Sequence, residues 1–334
     1  MNKRTRRTLL VVAAVLLFLA VAIFRRSKAP PEAARLLPES DGILYINFHP
    51  IRAFFHKDLK PPQRVPEYQQ FVDATGIDWE RDLDEVAIAI HRMPDPNGPN
   101  GPAAYSLVLR GKITGLKLNQ WLDTHARSRE NYAGKTIYDV SSEDRTVRVS
   151  QIGYDMVAIS NFPTPEMIHS IIDRHRTAAL PFAGSTLLQH HYHEVPLLSL
   201  AWGVGQIGLP FNESGAISIL GFQLPLQSDS TIVASISPEI SLKGALLVRI
   251  VEIAPTNDAA AGQAAALVNL VTLARTVTAP LGDNTANRGL KDLLATAQVT
   301  QSHNRVLVKA TLPLSVFSDA AAAEKKSPPQ ATPQ

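Results

Sequence analysis

Residues 9–24 form an unbroken apolar run. Lys3, Arg4, Arg6 and Arg7 precede it, and Arg25, Arg26 and Lys28 follow it. Sixteen residues make about 24 Å of helix, a little short of a hydrocarbon core of roughly 30 Å. Flanking basic side chains make up the difference by snorkelling to the interface. The run is therefore expected to be a transmembrane signal-anchor. Leu9, Leu16, Phe18 and Phe24 would face lipid, with Arg6, Arg7, Arg25 and Arg26 at the two boundaries. The competing reading is a cleaved signal peptide with Ser27 and Ala29 at the −3 and −1 positions. Arg25-Arg26 and Pro30 fit that site badly. Thr5-Arg6-Arg7 also opens a twin-arginine signal, but Thr8-Leu9-Leu10 departs from the rest of that motif. Charge bias across the run favours a cytoplasmic N-terminus and a body outside the cytoplasmic membrane.

The anchor also accounts for the net charge. The 334-residue chain carries +3 overall. Residues 1–35 hold eight Lys or Arg and one acidic residue, whereas residues 36–334 hold 25 and 29. The body is acidic, and no basic stripe interleaved with aromatic residues runs through it. A nucleic-acid partner is not expected. There is no cysteine, which excludes thiol catalysis, cysteine-ligated zinc, iron–sulfur clusters, disulfides and a lipoprotein acylation site. Hydrophobic residues at 45 % and charged residues at 19 % are ample for a packed core.

Residues 29–38 read as a short stiff linker containing Pro30-Pro31. A first α+β unit is expected over 39–180. Its strands fall at 43–48, 85–91, 104–110, 135–140, 146–152 and 155–160. Its helices fall at 51–59, 65–75, 116–127 and 165–176, with Asn161 or Thr164 as a cap for the last. The proline and Asn-Gly pairs of 93–102 mark a hairpin loop. A second unit over 181–319 has strands expected at 197–202, 216–222, 230–237 and 241–252. A long helix over 257–278 and a shorter one over 287–297 follow, and a final hairpin over 297–312 turns at His303-Asn304. Residues 320–334 read as a disordered tail. The two halves repeat an order of elements, with 43–48, 84–90 and 105–110 answering 197–202, 230–236 and 245–249. This is read as a duplicated α+β unit with a largely antiparallel sheet. Residues 36–180 carry 35 charged side chains and residues 181–334 only 19.

Motifs for chemistry are incomplete. Gly203-Val204-Gly205-Gln206-Ile207-Gly208 matches G-x-G-x-x-G, but Pro210 follows where a dinucleotide fold needs a helix. The glycines read instead as a strand end. Asp78, Glu80, Asp82 and Asp84 alternate like half a calcium loop, yet Leu83 and Ala89 stand where Gly and Glu are required. A polar turn into the next strand is the plainer reading. His190-His191-Tyr192-His193-Glu194 is the densest group of metal-capable side chains. His190 and His193 share a helical face with Glu194 beside them, and His169, His175 or Asp173 are candidate further ligands. No H-E-x-x-H pattern accompanies them, and a solvated helix end is the plainer reading. There is no G-x-S-x-G elbow and no S-x-x-K.

The N-terminal span, Leu37-Pro38-Glu39-Ser40-Asp41-Gly42-Ile43-Leu44-Tyr45-Ile46, Thr75-Gly76-Ile77-Asp78 leading through Asp82-Leu83-Asp84-Glu85, and Leu187-Leu188 before Val195-Pro196-Leu197-Leu198 together resemble a group of bacterial membrane-anchored proteins of unknown function. The resemblance covers most of 36–312 and implies a duplicated α+β extracytoplasmic body. It carries no catalytic residues.

The expectation is a membrane-anchored, extracytoplasmic binding or scaffolding protein of the bacterial envelope, with no identifiable catalysis and no cofactor. Its partners would be the bilayer, through the N-terminal helix, and an envelope protein. One alternative is a carrier or sensor of an apolar ligand that uses the charge-poor second unit. Another is a metal-dependent hydrolase centred on His190, His193 and Glu194.

Overall fold

The computed structural model describes residues 29–55, 66–98, 101–113, 115–142, 145–178, 184–206, 216–219, 222–225, 230–239, 244–280, 282 and 285–314. The expected anchor, with Leu9, Leu16, Phe18, Phe24 and their flanking arginines, lies outside the described residues, as does the 320–334 tail. Among the described residues no helix is long and apolar enough to cross a membrane.

The first half runs α1 (Glu32–Arg35), β1 (Gly42–Asn47), α2 (Phe48–Phe55), α3 (Pro66–Thr75), α4 (Trp79–Asp82), β2 (Leu83–Arg92), β3 (Ala103–Gly111) and α5 (Gly115–His125). It continues through β4 (Ser128–Tyr132), β5 (Lys135–Ser142), β6 (Arg145–Gln151), β7 (Met156–Ser160) and α6 (Glu166–Arg176). The second half runs α7 (Thr186–His191), a 3-10 turn (Tyr192–Glu194), β8 (Ala201–Gln206), β9 (Ala216–Ile219), β10 (Phe222–Pro225), β11 (Thr231–Pro238) and β12 (Ala245–Ile253). It ends with α8 (Asn257–Thr278), α9 (Thr285–Thr296), β13 (Gln298–Ser302) and β14 (Arg305–Pro313).

Twelve strands form one sheet in the order β13-β14-β12-β11-β8-β1-β2-β3-β7-β6-β5-β4, and β9 and β10 pair separately. Every pairing in both sheets is antiparallel. The protein is therefore α+β with a large antiparallel sheet. The halves meet where β1 pairs with β8, Ile43 opposite Val204 and Tyr45 opposite Trp202. Counting only the strands of the large sheet, and so leaving out β9 and β10, each half places its first, second, third and last strands outward from that seam.

The period-2 alternation of the strands explains how helices cover both faces. In β5, Ile137 belongs to one buried cluster and Tyr138 to another; in β7, Ala158 and Val157 divide the same way. The larger cluster spans the sheet from Ile137 through Tyr45, Trp202 and Val233 to Val251. Helix α6 closes it with Ile168, Ile171 and Ile172, the i, i+3, i+4 stripe of an amphipathic helix. The smaller cluster takes Ile77, Leu118 and Leu122 against the other face. A third joins Ala260 of α8 to Val306 of β14.

Helix α8 starts where expected because Thr256 caps it, its side chain accepting from the Ala259 amide at 3.1 Å. Several local expectations change. The single strand expected at 216–222 is instead the two paired strands β9 and β10, β4 lies where no strand was expected, and within the expected 29–38 linker Glu32–Arg35 form α1 with Ala33 and Ala34 buried. Helix α6 begins after Pro165 with no side-chain cap, rather than on Asn161 or Thr164. The strand expected at 197–202 runs instead from Ala201 to Gln206, carrying Gly203 and Gly205 inside it. A Cβ on Gly205 would stand 3.2 Å from the Gly42 Cα, so the close approach of β8 to β1 favours glycine there.

Candidate functional site

Antiparallel pairing brings distant parts of the chain to one edge of the sheet. Asn47 ends β1 opposite Glu85 near the start of β2, and Glu85 faces Arg110 near the end of β3. Arg110 faces Met156 at the start of β7, so the Gly153–Asp155 turn reaches the same edge. Ala201 starts β8 opposite Ile46, which brings the 195–200 segment there too. Two adjoining depressions, sharing Asn47, open along this edge.

The larger is a cleft of about 700 Å³ lined by Asp84, Glu85, Arg110, Lys112, Tyr154 and Asp155 among others. Arg110 is its hub. Its Nε donates to Asp155 Oδ2 at 2.9 Å and its Nη1 lies 3.4 Å from Glu85 Oε1. The Asp155 hydrogen bond raises the guanidinium further above its already high range. Arg52 donates to Asp84 and to the Leu83 carbonyl. A bulge between Leu83 and Glu85 sets this register, and the Lys112 amide donates to the Asp82 carbonyl at 2.8 Å beside it. The result is a polar surface whose carboxylates are met by guanidinium groups. It is suited to holding a ligand that offers both charges.

Burial drives the Glu85 carboxyl above its ordinary value near 4.5, and the opposing pull of Arg110 and of the Tyr45 hydroxyl does not reverse this. The folded chain thus retains a proton on Glu85 in a pH window where the unfolded chain has lost it. Stability falls as pH rises from 4.5 through the raised value. Glu85→Gln is expected to flatten that part of the curve of melting temperature against pH. Equal slopes in the two proteins between pH 4.5 and neutrality would contradict the assignment. Burial also drives Glu252 upward, and that contribution is common to both proteins.

The smaller depression is a notch of about 190 Å³. Its back wall is aromatic. Tyr45 stacks on Trp202 with centroids 5.3 Å apart, and Tyr192 meets Trp202 edge-on at 5.3 Å. Tyr45 joins the two depressions, because its ring packs in the notch while its hydroxyl lies against Glu85. Burial first, and Glu85 second, raise the Tyr45 phenol far above its usual range. Ala29 and Pro31 line one side of the notch and Leu197 and Leu198 another. Leu197 is 53 % exposed and Leu198 77 %. Leu198 sits at φ 68°, a left-handed conformation unusual for a bulky side chain. The tip is nevertheless held. Ser199 Oγ donates to the Pro196 carbonyl at 2.8 Å, and the Leu200 amide donates to Ile236 at 2.8 Å.

The histidine cluster lies at the end of α7 and on the 3-10 turn after it, with His190 and His193 exposed. Glu194 accepts from Arg305 Nε at 2.9 Å, has Arg249 Nη2 at 3.5 Å and His193 Nε2 at 3.4 Å. Its side chain is only 11 % exposed. The Arg249 guanidinium also donates to the Glu194 carbonyl. Glu194 therefore works as an ion-pair centre tying the 3-10 turn to β12 and β14. His190 stacks edge-on against His191 at 6.2 Å. Among the described residues no group of three or more His, Asp or Glu is arranged to hold a metal ion. Asp78 caps α4, accepting from the Glu80 amide at 3.2 Å.

Sequence reasoning did not single out Glu85, Arg110 or Tyr45 as a site. The available signal was a Glu and an Arg near the ends of two strands with apolar middles. It also passed over Leu197 and Leu198 as exposed groups, because an apolar pair after Pro196 reads as strand.

No family model matches the chain, and no curated protein matches it. Among solved structures the chain is similar to TP0453 in three crystal forms. Form III has a TM-score of 0.47 at 12 % identity, covering 89 % of this chain and 99 % of that one. Form IV has 0.47 at 12 %, covering 90 % and 99 %. Form I has 0.44 at 12 %, covering 90 % and 100 %.

Proposed function

We propose that the protein is a membrane-anchored binding module of the bacterial cell envelope. Residues 9–24 span the cytoplasmic membrane with the N-terminus inside and the α+β body outside. The sheet edge holding the notch and the cleft is its membrane-proximal binding face. The observation that carries this reading is the position of Ala29 and Pro31. They follow directly on the apolar and basic N-terminal segment, and they line the notch at that edge. The cleft beside it offers paired charges suited to recognition. The body is read as two copies of one α+β unit joined at β1 and β8. The equal order of strands outward from that seam supports the duplication.

Full-length protein is expected to stay with membranes through a high-salt wash and to leave them in detergent. Deletion of residues 1–28 is expected to move the body to the soluble fraction. Protease added outside the cytoplasmic membrane is expected to digest the body. Release by salt alone overturns the span, and full protection from the protease overturns the orientation.

A further inference from the structure

We propose that the Leu197-Leu198 tip inserts into the bilayer interface beside the chain's own anchor, so that the body is held to the membrane at two points. This rests on the membrane-anchor reading above.

Three observations commit the occupant to lipid. The first is exposure in a held conformation. Leu198 is 77 % and Leu197 53 % exposed, on a tip pinned by the Ser199 and Leu200 hydrogen bonds. A free loop would turn such side chains inward. This one keeps Leu198 outward at a φ of 68°, a conformation that costs a bulky residue free energy in water. The second is reach. Ala29 and Leu198 line the same notch. The apolar run ends at Phe24, five residues before Ala29, which is at most about 17 Å of extended chain. The interface that receives the end of the anchor is therefore within a short distance of the tip. The third is charge. Residues 195–201 carry none, and Glu194 just before them is neutralised by Arg249 and Arg305. The tip itself therefore carries no ionised group into the interface.

Tyr154 strengthens the geometry. It is 86 % exposed on the same edge, four strand spacings from β8, or about 19 Å across the sheet. With the leucines at the interface, Tyr154 on the same edge reaches headgroup depth, and the charged cleft between them stays in the hydrated headgroup region. Two leucines alone would bind a bilayer weakly. The anchor makes their contact intramolecular, and a second weak signal then suffices to fix orientation.

The test uses the full-length chain, whose lack of cysteine allows single labelling. Leu198→Cys carries an environment-sensitive fluorophore, and Ser302→Cys at the opposite edge serves as reference. Each protein is reconstituted in vesicles of phosphatidylethanolamine and phosphatidylglycerol with nitroxide-bearing acyl chains. The label at 198 is expected to shift to the blue and to be quenched severalfold more than the label at 302. Leu197→Cys in a Leu198→Asn background provides a second reporter, because asparagine tolerates the left-handed backbone. Water-like emission at both tip positions, in protein that resists a salt wash, overturns the inference and leaves the anchor standing. A blue shift without lipid quenching also overturns it, because a second copy of the chain then covers the tip. Release of the protein by salt overturns the anchor reading and the inference with it.

Discussion

Trp202→Ala is expected to cost about 3–5 kcal/mol of unfolding free energy, the largest loss from any single truncation in the body. Trp202 is 3 % exposed in β8, where it packs on Tyr45 and Tyr192. Strand β8 is also the seam of the sheet, paired to β1 on one side and β11 on the other. The sheet backbone forms the floor of a cavity there, and strands held by ladder hydrogen bonds cannot collapse into it. Chemical denaturation monitored by circular dichroism gives the measurement. Trp121→Ala is the comparison, because that ring is only half-buried and stacks on His125 at the end of α5. A loss at Trp202 no greater than that at Trp121 would contradict the packing described.

Gly111→Ala is expected to destabilise by about 3 kcal/mol or more, through overpacking against groups that cannot move aside. A Cβ at this position would stand 2.1 Å from the Asp82 carbonyl oxygen and 3.0 Å from the Leu83 Cα. Both are backbone, so no rotamer change relieves the clash. The strands would have to part at the bulge between Leu83 and Glu85. That movement strains the bond from the Gly111 amide to Asp155 at 2.9 Å and the bond from the Lys112 amide to Asp82 at 2.8 Å. The neighbouring Arg110 would lose its alignment on Asp155, so the cleft would open as stability falls. Gly262→Ala has the opposite expected sign. It lies in the exposed middle of α8 with nothing within 4 Å of the added Cβ, and alanine there gains about 0.5–1 kcal/mol from helix propensity. A melting temperature of the Gly111→Ala variant at or above that of the parent would refute the first argument, and one of the Gly262→Ala variant below it would refute the second.

Much of the body is legible along the chain. The alternation of 135–140 and 155–160 corresponds to β5 and β7 because each face of those strands meets its own helix layer. The isoleucine stripe of α6 and the proline-rich 93–102 hairpin are local patterns, and local patterns survive folding. Less legible is the assignment of charged and apolar residues to roles. Glu85 and Arg110 are 25 positions apart, and they meet because of the bulged β2–β3 register. Asp155 joins them from the turn before a third strand. Leu197 and Leu198 read as buried strand, yet the strand starts at Ala201 and they remain outside it. Glu194 reads as part of a histidine cluster, yet Arg249 and Arg305 claim its carboxylate from β12 and β14.

The amino-acid order by itself determined the apolar run with its basic flanks, the absence of thiol chemistry, the acidic body, and the type and succession of most helices and strands. These depend on composition and on periodicities of 2 and 3.6 residues, which involve only near neighbours. Only the tertiary structure decided that the halves join through β1 and β8, that Glu85, Arg110 and Asp155 make one cleft, and that two leucines stand exposed beside Ala29. Strand partners, register and the covering of each face are set by the joint packing of segments far apart in the chain, and no local window contains that information.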